Sequence, residues 1–382
     1  MISTRFRRPR VAVAVAAALA LTVTPTGAPP ARAAQAAASQ VVSFTVGQDG
    51  RLYRASTAGI TPFGSTPVAP PGAGVAAARQ PDGNVAAFVI GTQGGLVAAV
   101  TSSATSNISV YRDGAANLAP PGAHVSSVTD SAGYVHVFFA GTDGAIYSTS
   151  YYRRVQPSFG PQRVSAPGLA PPGAVVAAAW QSTMPGVVFV GADGALTSVW
   201  RTSAGTWATI PAGPAGLAPP GGGVAVAATA GVQAYVTGLD GRIWQVGFAF
   251  GPRPEPWQPV AITGAGAAPP GARLAAAQFT GGPSNVFFAG SDGAVRVVTN
   301  MAGGWQQSVT TAAGAAKPGG PVALVAVDDY LYSAWCGNDL WWWLYWWWRR
   351  PPPPPPWWGE SLTLPLTQPI EYGAEVAITL YR

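Results

Sequence analysis

The chain is poor in the residues from which catalytic and metal sites are built. Of 382 residues one is cysteine and two are histidine, and only 9% are Asp, Glu, Lys or Arg. A lone Cys336 excludes an intrachain disulfide; it precedes Gly337 at a strand end and reads as a buried, inert thiol. One cysteine and two histidines leave a zinc site short of ligands. A serine protease-like triad needs a nucleophile and an acid converging on His124 or His136. Both histidines fall in β-type segments and read as structural. Beyond residue 33 no run reaches the ~18 apolar residues of a membrane-spanning helix. These shortages point away from an enzyme, a metalloprotein and an integral helical membrane protein, and no cofactor is expected.

The basic excess is also misleading. Arg5, Arg7, Arg8 and Arg10 precede an apolar run, Val11 to Val23, and Ala31-Arg32-Ala33 then offers a small-x-small cleavage site. This is the pattern of a secretory leader over residues 1–33, with Arg7-Arg8 leaving twin-arginine export as an alternative. Five of the 21 Lys+Arg and none of the 15 Asp+Glu lie there, which leaves 16 against 15. A nearly neutral mature chain gives no ground for nucleic-acid binding.

Glycine and proline are abundant, at 48 and 38 residues, and they are periodic. Ala-Pro-Pro-Gly ends at Gly72, Gly122, Gly173, Gly221 and Gly271, and Ala-Lys-Pro-Gly ends at Gly319, at spacings of 50, 51, 48, 50 and 48. Such a period means one small structural unit copied in tandem. A second signal sits inside each period: a β-rich run, a Gly-x-Asp-Gly turn or its Gln-Gly-Gly variant, then a hydrophobic residue. VHVFFAGTDGAI from Val135 and NVFFAGSDGAV from Asn285 are examples. Val, Phe and Ile suit a half-buried strand, and Asp-Gly supplies the positive φ of a tight hairpin. An apolar segment after each Pro-Pro-Gly and a late segment opened by Phe159, Trp207, Trp257 or Trp305 complete four strands per repeat.

The aberrant C-terminal part keeps this register. Gly337 falls 47 residues after Gly290, against earlier spacings of 44, 50, 50, 47 and 52, and GAEVAITLYR from Gly373 matches the strand that follows each Pro-Pro-Gly. This register argues against a long frame error. The expectation is an all-β, seven-bladed propeller of four-stranded antiparallel blades. A short linker, 34–40, precedes one domain over 41–382. Its first blade combines 41–68 with 373–382, so that the C-terminal strand closes the ring.

Asp49, Asp143, Asp193, Asp240 and Asp292 read as turn residues. One carboxylate per turn makes neither a Ca²⁺ loop nor the facing pair of a glycosidase. Aromatic side chains are the better material for binding. Tyr53, Tyr147, Trp244 and Trp341 stand just past the hairpin, and Trp200 lies further along its strand. Their flat faces and polar tips suit stacking on a sugar, with packing between blades as the alternative.

VFVGADGAL…W…GLAPPG, at about 50 residues per copy, resembles the repeat of the PLL-type bacterial lectins over residues 41–382. The resemblance implies a seven-bladed propeller holding fucosylated or O-methylated saccharides in pockets between blades. The family's Trp after the hairpin stands here as Trp244 and Trp341, with Tyr53, Tyr147, Val97, Thr197 and Arg296 elsewhere. The expected function is thus a secreted, lectin-like, non-catalytic propeller whose partners are glycans.

The segment from Trp341 to Trp358 stands apart. Six prolines from Pro351 favour a polyproline II rod, flanked by Trp346, Trp347, Trp348, Trp357 and Trp358. Eight tryptophans cannot all be buried in one blade, so an exposed aromatic contact site is expected. The alternative function is accordingly a surface scaffold or protein-interaction module using this loop; a functionless repeat expansion is the other reading.

Overall fold

The computed structural model describes residues 41–56, 59–101, 108–152, 159–181, 184–228, 231–248, 258–278, 282–327, 330–336, 340–346, 359–364 and 377–380. Among them every regular element is a strand, and the strands form seven four-stranded antiparallel sheets. The third sheet is typical: Val125–Thr129, Val135–Ala140, Ile146–Tyr151 and Phe159–Arg163 follow one another in sequence and in space. The fourth repeats this with Val176–Gln181, Met184–Val190, Leu196–Arg201 and Trp207–Pro211. Short turns make sequential pairing the cheap solution, since antiparallel neighbours need only a tight turn between them.

The first sheet is assembled differently. Its strands Val41–Val46, Leu52–Ser56 and Gly59–Pro62 are joined by Ala377–Leu380 from the far end of the chain. Val41 faces Leu380 and Phe44 faces Ala377 in an antiparallel register. The inner strands Val75–Arg79, Val125–Thr129, Val176–Gln181, Val224–Ala228, Leu274–Gln278, Ala323–Val327 and Ala377–Leu380 touch one another in succession, and the last touches the first. Trp341–Trp346 belongs to the third strand of the seventh sheet, Leu340–Trp346, between Tyr330–Cys336 and Gly359–Leu364.

Pro-Pro-Gly explains how one sheet hands over to the next. In Pro70-Pro71-Gly72-Ala73 the Ala73 N–H donates to the Pro70 carbonyl at 3.2 Å, with Gly72 at φ 66°. A bond from i+3 to i, proline at i+1 and left-handed glycine at i+2 define a type II turn. Lys317-Pro318-Gly319-Gly320 keeps both required residues, which is why lysine replaces the first proline without loss of the turn: Gly320 N–H to Lys317 O is 2.8 Å. The turn glycine also ties neighbouring sheets together. The carbonyls of Gly122, Gly221, Gly271 and Gly319 accept from Gly74, Val175, Gly223 and Arg273, each in the preceding repeat, at 2.9–3.2 Å.

The core lies between sheets. Phe138, Ala140 and Ile146 of the third sheet pack with Val176, Val187, Phe189 and Val199 of the fourth. On the other face, Val137, Phe139 and Tyr151 pack with Phe88, Ile90 and Leu96 of the second. Second strands such as Val85–Ile90 and Val135–Ala140 are buried along their whole length, because both faces meet a neighbour. Each repeat therefore carries half of two cores and completes neither alone.

The turn geometry yields a stability test. Gly221 sits at φ 72°, and a Cβ there would stand 3.3 Å from Pro171 Cγ. Gly221→Ala is expected to cost about 1–2 kcal/mol in denaturant unfolding. Gly303, with no atom within 4 Å of an added Cβ, serves as the control: Gly303→Ala should stay within about 0.5 kcal/mol of the wild type. Equal effects of the two changes would refute the role given to the turn.

Candidate functional site

Two places concentrate polar and aromatic side chains. The first is the hairpin end of the sheets, where the turn aspartates have one recurring task. Oδ1 of Asp49, Asp143, Asp193, Asp240 and Asp292 accepts the N–H two residues on, at 2.9–3.0 Å. Their second oxygen reaches the residue four positions on where that residue can donate. Tyr53 Oη donates to Asp49 Oδ2 at 2.7 Å, Tyr147 Oη to Asp143 Oδ2 at 3.1 Å, and Arg296 Nη2 to Asp292 Oδ2 at 2.7 Å.

These side chains also lie over the first glycine of the turn. A Cβ on Gly47, Gly141 or Gly238 would come within 2.5–2.6 Å of Tyr53, Tyr147 or Trp244. Burial, and then the bond to its aspartate, raises the Tyr53 and Tyr147 hydroxyls above their ordinary range. Bonds from the Arg296 guanidinium hold Asp292 well below the usual carboxylate range. Arg163 adds a cation to the third sheet, its Nη1 3.8 Å from Asp143 Oδ2.

The five residues expected to contact a saccharide are not brought together. They are distributed over the first, third, fourth, fifth and seventh sheets. Tyr53 is 2% and Trp200 4% exposed. Trp200 packs among Val188, Val190, Leu196, Val224 and Val232 between the fourth and fifth sheets, because an even position on its strand faces that core. These two rings are packing elements here and offer no open face to a ligand. Tyr147 and Trp244 are half-buried and keep an accessible edge. Trp341 is placed by its backbone, paired with Trp335 and Thr363. Trp346 pairs with Tyr330, whereas Trp347, Trp348, Trp357 and Trp358 lie outside the described residues.

The second place is at the opposite end of the third sheet, and the residue pattern did not reveal it. His136 Nε2 lies 3.1 Å from Asp130 Oδ2, and His136 Nδ1 lies 3.0 Å from Ser150 Oγ. The ring stacks on Trp180 of the fourth sheet at 5.4 Å and 17°. Serine, histidine and aspartate thus converge, although they lie apart in the chain. The signal was available only through register: Ser150 is the cross-strand partner of His136, and Asp130 opens the turn before it.

The arrangement is a positioning network. Asp130 is fully engaged, its Oδ1 accepting the Tyr134 N–H at 2.8 Å. With Nε2–H donated to Asp130, Nδ1 accepts from Ser150, which fixes the neutral tautomer. In the sixth sheet the corresponding cross-strand pair is Asn285 and Thr299, bonded at 2.9 Å. That pair has no acid–base capability, so what the third and sixth sheets share at this position is polar satisfaction between strands.

The fold has solved counterparts. The BP39L lectin of Burkholderia pseudomallei is 26% identical with a TM-score of 0.74, over 86% of this chain and 96% of that one. A lectin of Aleuria aurantia in complex with Fucα1-6GlcNAc is 13% identical with a TM-score of 0.53, over 78% and 97%. The SapL1 lectin in complex with alpha methyl fucoside is 16% identical with a TM-score of 0.54, over 78% and 98%. The chain shares a β-propeller fold with these proteins. No family model matches it, and no curated protein does.

The two histidines predict a pH response. Burial lowers His136 below its ordinary value, Asp130 opposing and Arg201 adding to the effect. Burial, then Arg273, lowers His124 well below it; its Nδ1 accepts the Val176 N–H at 3.2 Å. The unfolded chain therefore binds more protons near its ordinary histidine value of about 6.5. Stability is complete above that pH and declines as pH falls through it. The urea midpoint is expected to be lower at pH 5 than at pH 7.5, with a shallower dependence in His136→Gln. A midpoint constant between those pH values would contradict this account.

Proposed function

We propose that this chain is a secreted, non-catalytic carbohydrate-binding protein, built as a seven-bladed β-propeller closed by its C-terminal strand. The observation that carries the function is the likeness to the BP39L lectin, at 26% identity across 86% of this chain and 96% of that one. Seven blades and closure are supported by the seven sheets, by the circuit of touching inner strands and by the pairing of Ala377–Leu380 with Val41–Val46. The leader pattern in residues 1–33 supports export.

The proposed ligands are fucosylated or O-methylated glycans. This follows from the PLL-type repeat and from the fucosides named with two of the fold's counterparts. The methyl group of a fucose or a methyl ether is a small apolar handle, and a half-exposed aromatic beside a carboxylate suits such a sugar. Tyr147 beside Asp143 and Arg163 meets that description, as does Trp244 beside the Asp240 turn. Trp341 occupies the matching register position in the seventh sheet.

A glycan array probed with residues 34–382 tests the reading. Fucosylated or methylated glycans are expected among the binders, with at least a tenfold loss when Tyr147 and Trp244 are both changed to alanine. Binding should survive deletion of 347–358. If no glycan binds, the lectin reading fails; if that deletion abolishes binding, contact belongs to the Trp/Pro segment.

A further inference from the structure

The groove between the third and fourth sheets differs from the other inter-sheet spaces in several positions at once. Alternation places His136, Phe138 and Ser150 on the face of the third sheet turned toward the fourth, as the packing of Phe138 against Phe189 and Trp207 shows. Tyr134 and Tyr152, two residues from His136 and Ser150, continue that face and stack at 4.4 Å and 27°. From the fourth sheet, Val199 points into this space, so Arg201, two residues on, points the same way. Arg201 pairs across strands with Trp207.

Register shows how unusual this set is. The position of His136 holds Ala86, Gly186, Gln233 and Asn285 in neighbouring sheets, and that of Trp180 holds Arg79, Thr129, Ala228 and Gln278. The position of Arg201 holds Thr101, Tyr151 and Asn300. Copies of one unit have diverged together around one groove.

The charge state of the groove is specific. Asp130 is spent on Tyr134 N–H and His136. Arg201 is exposed, and no described residue bonds or ion-pairs with its guanidinium. Among the described residues, the one charge open to a ligand is therefore positive. It faces the same inter-sheet space as His136, whose ring feels its charge, and as the Tyr134–Tyr152 stack, of which Tyr134 is 37% exposed.

We propose that this groove is a binding site for a carboxylate-bearing saccharide: Arg201 takes the carboxylate and the Tyr134–Tyr152 stack takes the apolar face of the sugar ring. The planar guanidinium matches a carboxylate with two parallel bonds, and a tyrosine ring accepts a pyranose face. The Asp130–His136–Ser150 chain and the Trp180 ring beneath it act as positioning residues that hold the groove's floor. The site rests on the carbohydrate-binding reading but takes a ligand of different charge from the neutral fucosides.

Calorimetric titration of residues 34–382 at pH 7 with methyl β-D-glucuronide, methyl β-D-glucoside and methyl α-L-fucoside tests it. The first two differ in one carboxylate. The glucuronide is expected to bind at least tenfold tighter than the glucoside, with a change in tryptophan fluorescence. Arg201→Gln should erase that preference without changing the unfolding temperature, because the side chain is exposed. Arg201→Lys should recover part of it. Equal affinity for glucuronide and glucoside, or a preference that survives Arg201→Gln, overturns the site. If fucoside binding persists in that outcome, the lectin reading stands without this groove; if no sugar binds at all, both fall.

Discussion

The structure depends on face-to-face packing between neighbouring sheets. No sheet owns a core: Phe138 belongs with Phe189 of the next sheet, and Phe139 with Phe88 of the previous one. A four-stranded sheet with two apolar faces cannot stand in water alone, so stability is a nearest-neighbour property. Pro-Pro-Gly matters because it fixes the step between neighbours. Its glycine supplies the left-handed turn and also the carbonyl that bonds to the adjacent repeat. At Gly122, Gly221, Gly271 and Gly319 one residue thus carries both the bend and the stitch.

Much of this arrangement is legible in the amino-acid order because period and turn chemistry are local. Pro71-Gly72 dictates a type II turn, and Gly47-Gln48-Asp49-Gly50 a hairpin, before any distant contact is known. The period persists through Gly337 and Gly373, and Val41 and Leu380 are register partners. The two-residue alternation could not say which rings face a neighbour and which face water. Trp200 and Trp244 look alike in sequence; one is enclosed between sheets, the other keeps an edge free. Likewise the convergence of Asp130, His136 and Ser150 depends on cross-strand register and on a turn that folds back.

The hairpin aspartates show how repetition and specialisation coexist. Each Oδ1 closes its own turn, and this duty is common to all five. The other oxygen is left to whatever stands four residues on. Tyrosine and arginine both use it, while threonine and tryptophan occupy the same place in other sheets. The scaffold therefore tolerates exchange at Tyr53, Tyr147, Thr197, Trp244 and Arg296 without disturbing the turn, and that latitude lets otherwise equivalent sheets present different chemistry at one end.

The pairing of Val41–Val46 with Ala377–Leu380 sets the order in which the molecule comes into being. Val41–Val46 leaves the ribosome before its partner, Ala377–Leu380, which follows more than three hundred residues later. Until then the first sheet has three strands and an open backbone edge, a template for pairing with other chains. Joining ends so distant in the chain is entropically expensive and kinetically late. Pairing with Ala377–Leu380 covers that edge of Val41–Val46. Protection of that edge therefore waits on a segment distant in the chain.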